Sequence, residues 1–299
     1  MTAFPQVAAV VPVHNGRELT LTLLASLERV TYPALEIIVV DDGSTDGTAE
    51  AVADRFPRVR VVTGDGTLWW SGGINAGVGE ALSRGAAFIL TINNDIVVEP
   101  GFLEPLLESA GRTPRSIVTS KIHDQSDRSA VSSFGGTIDW LVGEIRDVTS
   151  RRDRCDFTAL RSCDWVNGSS TLIPAVVFRE VGLLDEKGCP QYHGDAEFCL
   201  RARQHGYRLL ADPRSVVYRR TEVSTGNRAL DTDNLRSLFR SVRSPFYFRA
   251  NWRLYRDHCP YRPFLPFLAI RYARLFYSLF RRRFVDRTRR RSVGSRGHR

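Results

Sequence analysis

Short, continuous apolar runs alternate with helix-period segments along the first half of the chain. Residues 7–13 are uninterrupted and apolar, and they predict a strand buried on both faces. Leu19, Leu21, Leu23, Leu24 and Leu27 follow in a helical segment, and residues 35–40 form a β-branched run ending at Asp41-Asp42. A helix over 48–56, capped by Asp46 or Thr48, leads to a third strand over 59–62. A Gly-rich turn and a helix to residue 84 precede a fourth strand over 86–92, and a helix over 100–111 opens on Pro100. Strands alternating with helices in this way predict an α/β fold, a mostly parallel sheet covered by helices on both faces.

The later pattern is looser. Residues 116–122 predict a strand, while 123–164 are polar and glycine-containing and suit hairpins or a variable loop. A strand over 164–172, a helix over 176–184 and a helix over 196–205 ended by Gly206 come next. Two short strands, 207–210 and 216–218, flank Pro213. From 245 to 284 the chain is aromatic and arginine-rich, and Arg271, Arg274, Ser278 and Arg281 share one helical face. Residues 285–299, rich in Arg, Ser and Gly, predict disorder. These changes divide the chain into a body (1–230), a helical extension (231–284) and a basic tail (285–299).

Charge sharpens that division. The 299 residues carry +9, but 243–299 hold sixteen Arg against Asp257 and Asp286, a net +14, so residues 1–242 carry −5. No basic face spans the fold, which argues against specific nucleic-acid binding. Five cysteines without a Cys-x-x-Cys pair carry no zinc or redox motif and suit a reducing compartment. The first residues lack a basic leader and read as a strand rather than a signal peptide. No uncharged run reaches the roughly 18–20 residues of a membrane span.

The candidate chemistry lies where strands end, the place where open α/β sheets bind ligands. Asn93-Asn94-Asp95 sets hard oxygen donors there, suited to Mg²⁺ or Mn²⁺ on a diphosphate, or forms an Asn/Asp turn. Asp41-Asp42-Gly43-Ser44-Thr45-Asp46-Gly47 can accept from ribose hydroxyls or a base N–H, or is a tight turn. Gly72-Gly73 at a helix start offers backbone N–H groups to an anion, with Asn75 as a further donor. Otherwise it is a helix start with Trp69 and Trp70 in the core; adjacent tryptophans cannot point the same way, so one of them can line a pocket. Asp195 stands at a helix mouth, either as a cap or as a general base, and spacing does not choose among Asp195, Glu197 and His193.

Taken in order, these segments resemble the family 2 glycosyltransferases, inverting enzymes of the GT-A fold. Val11-Pro12-Val13-His14-Asn15 resembles the family's first-strand segment, and Asp41-Asp42-Gly43-Ser44-Thr45-Asp46 its nucleotide-binding segment. Gly73-Ile74-Asn75-Ala76-Gly77 is similar to its Gly/Asn helix start, and Asn93-Asn94-Asp95 takes the place of its metal-binding Asp-x-Asp. Val166-Asn167-Gly168-Ser169-Ser170 resembles its acceptor-side strand, and residues 194–203 its Glu-Asp-x-Asp-Leu-x-x-Arg segment. The likeness covers residues 5–220. It implies a nucleotide-diphosphate sugar held by Pro12, His14, Asn15, Asp41, Asp42, Gly73, Asn75, Asn94 and Arg219. It implies Mg²⁺ or Mn²⁺ on Asp95 and Asn93, and Asp195 as catalytic base. Trp69, Trp70, Asn167, Gly168, His193 and Glu197 would lie on the acceptor side.

Three positions depart from the family pattern and leave metal dependence open. Asn93 replaces an Asp, Gly194 replaces the Glu before the base, and Arg219 stands where a metal-ligating His is usual. An arginine there can hold a diphosphate directly. The Gln-x-x-Arg-Trp signature of processive synthases is missing, which implies one sugar, or a few, per encounter. Residues 245–299 suit an anionic membrane surface, with a peripheral enzyme on the cytoplasmic face and a glycan or polyprenyl-linked acceptor, in polysaccharide or glycolipid synthesis. Two alternatives remain. A catalytically impaired binding subunit fits the three departures. A nucleotidyltransferase of related fold is disfavoured because residues 1–242 hold only Lys121 and Lys187 and lack a basic Gly-rich loop after the first strand.

Overall fold

The computed structural model describes residues 4–220 and 235–294, and the side chains of 235 and 282–294 lie outside the description. In chain order the elements are β1 (Val7–Val13), α1 (Arg17–Leu27), β2 (Leu35–Asp41), α2 (Thr48–Arg55), β3 (Arg60–Thr63), α3 (Trp69–Ser83), β4 (Phe88–Ile92) and β5 (Ile96–Val98). Then come α4 (Leu103–Arg112), β6 (Ser116–Asp124), β7 (Val131–Ser133), β8 (Gly136–Asp139), β9 (Glu144–Asp147) and β10 (Arg161–Ser162). The chain continues with β11 (Ser170–Pro174), α5 (Ala175–Val181), α6 (Gly194–Gln204) and β12 (Arg208–Arg219), and closes with α7 (Leu235–Arg240), α8 (Phe248–His258) and α9 (Leu265–Gly294).

The main sheet runs β3-β2-β1-β4-β11-β6-β12-β10. The first four strands are parallel, β11 is antiparallel to both neighbours, and β6 and β12 are again parallel to each other. The apolar run read as a strand buried on both faces, β1, is so buried. Val7, Ala9 and Val11 pack under α1 and α4 with Leu24 and Leu106, while Ala8 and Val10 pack under α3 and α6 with Ile74, Val78 and Phe198. Gly77 lets α3 lie against β1, because a Cβ there would overlap Val10. The strands therefore deliver the ends of β1, β2 and β4 to one rim.

Four expectations shift. The two strands around Pro213 are one strand, β12, whose register against β6 slips between Asp212 and Val216; a proline is absorbed as a bulge without ending the ladder. The strand expected over 164–172 starts at Ser170, and α4 starts at Leu103, past Pro100. Helix α9 runs to Gly294, through much of the segment expected to be disordered. The boundary at 230/231 and residues 295–299 lie outside the described residues.

The C-terminal helices pack on the body. In α8, His258 Nε2 lies 3.5 Å from the Glu197 carboxylate of α6, and Arg253 lies 2.9 Å from Asp185. Tyr255, Cys259 and Leu268 form their own small core.

Candidate functional site

The loops after β1 and β2 are laced into one unit. His14 Nδ1–H donates to the Asp42 carbonyl at 2.7 Å, the Asn15 N–H donates to Ser44 Oγ at 2.9 Å, and the Thr45 N–H donates to Asn15 Oδ1 at 2.8 Å. Asp42 is the hub: its carboxylate accepts from the Gly66 N–H at 2.8 Å and the Trp69 N–H at 3.0 Å. Asp41 Oδ1 accepts from the Ser44 N–H at 2.8 Å, whereas Oδ2 is buried with no hydrogen-bond partner among the described residues. A buried carboxylate oxygen without a donor is costly, and a ligand hydroxyl or N–H relieves that cost.

The start of α3 differs from the sequence expectation. The helix begins at Trp69, so Gly72 and Gly73 lie inside its first turns. Its leading N–H groups are already used: Trp69 by Asp42, Trp70 by the Gln191 side chain, Ser71 by the Pro190 carbonyl and Gly72 by the Leu68 carbonyl. No N–H of that turn is left for an anion. Gly73 instead gives room to Pro12, which a Cβ would meet at 3.0 Å. Asn75 is likewise engaged within the fold. Its amide donates to the Leu184 carbonyl and Glu186, and its oxygen accepts from the Leu184 N–H, so all three contacts staple α3 to that loop. Asn94 turns toward α1 and donates to Thr20 Oγ1 beneath Gly16.

After β4, Asp95 is buried, and its carbonyl accepts from the Arg220 N–H at 2.9 Å, which ties β4 to the end of β12. The Asn93 amide is spent on the wall: its oxygen accepts from Trp70 Nε1–H at 2.9 Å and its Nδ2 donates to Ser169 Oγ at 3.1 Å. Ser169 Oγ also accepts from the Arg219 guanidinium at 2.9 Å. Asp95 and Arg219 thus share one rim, and Asn93 braces it.

Asp195 opens α6 from below that rim. Its Oδ2 accepts from the Gly168 N–H at 3.3 Å, one residue before Ser169. A cavity of about 20 Å³ beneath it is lined mainly by apolar side chains, including Trp70, Val166 and Phe198. Burial pushes the carboxyl up to about 6, and the charge of Asp147 adds to that push against the N–H groups of Ala196 and Gly168. A carboxylate so placed is a proton acceptor near neutral pH. Gly168 also makes room for Trp70, whose ring a Cβ would overlap. Gly168→Ala is expected to cost about 1–3 kcal/mol through overpacking and to displace both Trp70 and Asp195; matched melting curves and tryptophan fluorescence check both losses.

The other acceptor-side expectations separate. Glu197 is buried in a pair with Arg201 and beside His258; burial alone would raise its pKa, but His258 and Arg201 bring it below the ordinary value. Its carboxylate is engaged at the seam with α8. His193, in the left-handed region at φ 67, donates from Nε2 to the Pro245 carbonyl at 2.9 Å. Burial and the Arg271 guanidinium push it down to about 4, so it is neutral at physiological pH and is committed to the C-terminal extension. The Asn167 amide is spent on Ser133 and Asp147. Trp69, also left-handed at φ 57, sits under the Arg243 guanidinium at 5.3 Å. Sequence reasoning missed Asp147, Ser169 as the shared bridge, and Arg243. Ser169 lay inside a matched segment, but nothing local marks Asp147 or Arg243.

Residues 8–162 match the description Glycosyl transferase family 2. The chain is 26% identical over 223 residues to the N-acetylglucosaminyl-diphospho-decaprenol L-rhamnosyltransferase of Mycobacterium tuberculosis, covering 68% of this chain and 72% of that protein. GalNAc-T7 with UDP, GalNAc and Mn²⁺ aligns with a TM-score of 0.59 at 19% identity over 91% of this chain, which spans 55% of the GalNAc-T7 chain. A mannosyltransferase of Pyrobaculum calidifontis in complex with GDP-Man and Mn²⁺ aligns with a TM-score of 0.59 at 18% identity, over 90% of this chain and 69% of its own. Together with the mixed, mostly parallel sheet, these likenesses show the GT-A fold.

Proposed function

The chain belongs to glycosyl transferase family 2, a family of transferase enzymes, and we propose that it moves one sugar, with inversion, from a nucleotide-diphosphate sugar to a hydroxyl of a lipid-linked glycan. The setting is cell-surface polysaccharide or glycolipid synthesis. One observation carries the reading: the segment Gly168-Ser169 joins Asp195 on one side to Asn93 and Arg219 on the other. In this reading a base and a diphosphate-holding rim stand on either side of that segment. The name of the mycobacterial relative, with its decaprenol-linked substrate, supports a polyprenyl-linked acceptor.

In this reading the Asp41-Asp42 loop holds base and ribose, and Arg219 holds the diphosphate. Asp95 would hold Mg²⁺ or Mn²⁺, which when bound supplies charge neutralisation to the departing diphosphate. The residues fit such an ion modestly. Among the described residues no group of three His, Cys, Asp or Glu gathers, but Mg²⁺ commonly takes only one or two protein carboxylates with phosphate oxygens and water. Asp195 accepts the proton of the acceptor hydroxyl as its oxygen bonds the anomeric carbon, from the face opposite the departing phosphate.

A thermal-shift screen of nucleotide-sugars with and without Mn²⁺, followed by transfer to a polyprenyl-diphosphate sugar, tests this reading; binding with neither transfer nor hydrolysis would favour the impaired subunit. Asp95→Ala is expected to weaken Mn²⁺-dependent nucleotide-sugar binding at least about tenfold, as losses at metal sites do. An unaltered Mn²⁺ dependence would remove Asp95 from the metal site. We place its work at the cytoplasmic membrane face, reached through residues 245–299 with the net +14 of 243–299; no helix among the described residues is long and apolar enough to cross a membrane.

A further inference from the structure

Helix α9 has two faces of unexpected character. Leu268, Arg271, Leu275 and Leu279, spaced i, i+3, i+7 and i+11, are all buried. The Arg271 guanidinium is committed there to Asn251 Oδ1 at 2.6 Å and the Gly143 carbonyl at 2.9 Å, and it approaches the Pro245 carbonyl at 3.4 Å. The residue first read as part of a polar stripe is therefore an inward anchor. About half a turn away, Ala269, Ile270, Ala273, Phe276 and Tyr277 face outward with helical period. Phe280 continues that row and is exposed. Tyr277 is 69% exposed and Ile270 39%. Leu265 and Tyr261 extend the apolar surface past the helix start, at 51% and 41% exposed. Arg274 and Arg281 flank one edge of the row, and Arg274 reaches the Val142 carbonyl at 2.7 Å. Water normally selects polar residues on an outer helix face; here the outer face is apolar and a charge is held inside.

We propose that this outward face of α9 inserts into the interface of an anionic membrane, with the flanking arginines meeting lipid phosphates. The inference rests on the reading of a lipid-linked acceptor and deepens it by assigning the surface that meets the lipid. Charge chooses the occupant. Residues 243–299 carry +14, which an anionic bilayer complements, whereas a second copy would set the same +14 against itself. Insertion also fixes the working geometry. Arg271 and Asn251 hold the Pro245 carbonyl, and that carbonyl accepts from His193, two residues before Asp195. The inserted helix and the proposed base are thus linked through one carbonyl, which brings the base toward an acceptor hydroxyl that projects from the bilayer.

The test is flotation of the full chain with phosphatidylcholine vesicles, with and without phosphatidylglycerol, beside the double variant Ile270→Asp/Tyr277→Asp. The wild type should float with the anionic vesicles. The double variant should partition about a hundredfold more weakly, at roughly tenfold per apolar side chain lost from the interface. Both positions are exposed, so an unchanged melting temperature shows that the variant is folded. Equal flotation of the two proteins overturns the assignment of this face but leaves the lipid-linked reading standing. Flotation without transfer to any polyprenyl-linked acceptor sinks that reading instead. Light scattering that shows a wild-type dimer and a monomeric double variant gives the face to a second copy and overturns the proposal.

Discussion

Asp195→Asn is expected to lower transfer by about 10²–10⁴-fold, the usual worth of a positioned general base, with nucleotide-sugar binding left nearly unchanged. The amide keeps the carboxyl's shape, and its one oxygen can keep the shorter bond from the Ala196 N–H at 2.8 Å while the longer one from the Gly168 N–H at 3.3 Å is given up, so the melting temperature is read beside the rate to separate lost basicity from lost structure. The wild-type pH profile follows from the environment of the group. With the carboxyl pushed up to about 6, kcat/KM should rise about tenfold per pH unit below that value and level off above it. Stability moves the opposite way. Between the ordinary value of 3.8 and about 6 the folded state keeps a proton that the unfolded chain has released. Stability from this group therefore falls as pH rises through that window and is constant beyond it. At pH 7 the ionised carboxylate costs up to about 3 kcal/mol. Asn carries no such cost, so the variant should melt higher than wild type at pH 7.5, and the gap should close near pH 4. Full activity in Asp195→Asn would give the base to another residue. Lost activity with a lower melting temperature at neutral pH would mean a damaged helix start.

The same residue shows what local sequence can and cannot say. Strand ends were legible because a continuous apolar run stops where polar loop chemistry begins, as at Asp41-Asp42 and Asn93-Asn94-Asp95. The fourth strand's Asp95 and the second strand's Asp42 could be placed on one rim from the alternation of strands and helices alone. The use of each amide and N–H could not, because the partners are remote. Asn75 reaches Leu184 and Glu186, Trp70 N–H reaches Gln191, and Asn93 reaches Trp70 and Ser169. Each reads from sequence as an available hydrogen-bonding group and is in fact engaged within the fold. That His193 and Glu197 are engaged elsewhere needed the C-terminal extension in place, since the Pro245 carbonyl takes the first and His258 of α8 sits beside the second. Asp147 was out of reach for a related reason. It comes near Asp195 only when the β8-β9 hairpin closes on Asn167, and nothing in the polar stretch 123–164 announces that contact.

Arg271→Met is the change expected to loosen the C-terminal extension most. Helical spacing alone set Arg271 beside Arg274 and Arg281 on a solvent- or lipid-facing stripe, but the fold buries it and pairs it with neutral oxygens. Gly143, left-handed at φ 67, supplies the room: a Cβ there would overlap the backbone and Cβ of Arg271. Methionine fills much of the stem volume but donates nothing. Asn251 Oδ1 and the Gly143 carbonyl then lose donors at 2.6 and 2.9 Å, while Pro245 keeps those from His193 and Asn251. Two buried acceptors left short cost about 1–3 kcal/mol each, so a loss of about 3–4 kcal/mol is expected, against less than about 0.5 kcal/mol for the exposed Arg274→Ala. The loss should be local first. Leu268 and Leu275 flank Arg271 on the buried face, so hydrogen exchange should accelerate in α8 and α9 before the parallel strands respond. Transfer should fall through kcat with little change in the KM for nucleotide-sugar, because the Pro245 carbonyl, which holds His193 near Asp195, loses its Arg271 donor while the Asp41-Asp42 loop is untouched. An Arg271→Met protein with wild-type exchange in α8 and α9 would mean that the apolar seam alone holds the extension in place.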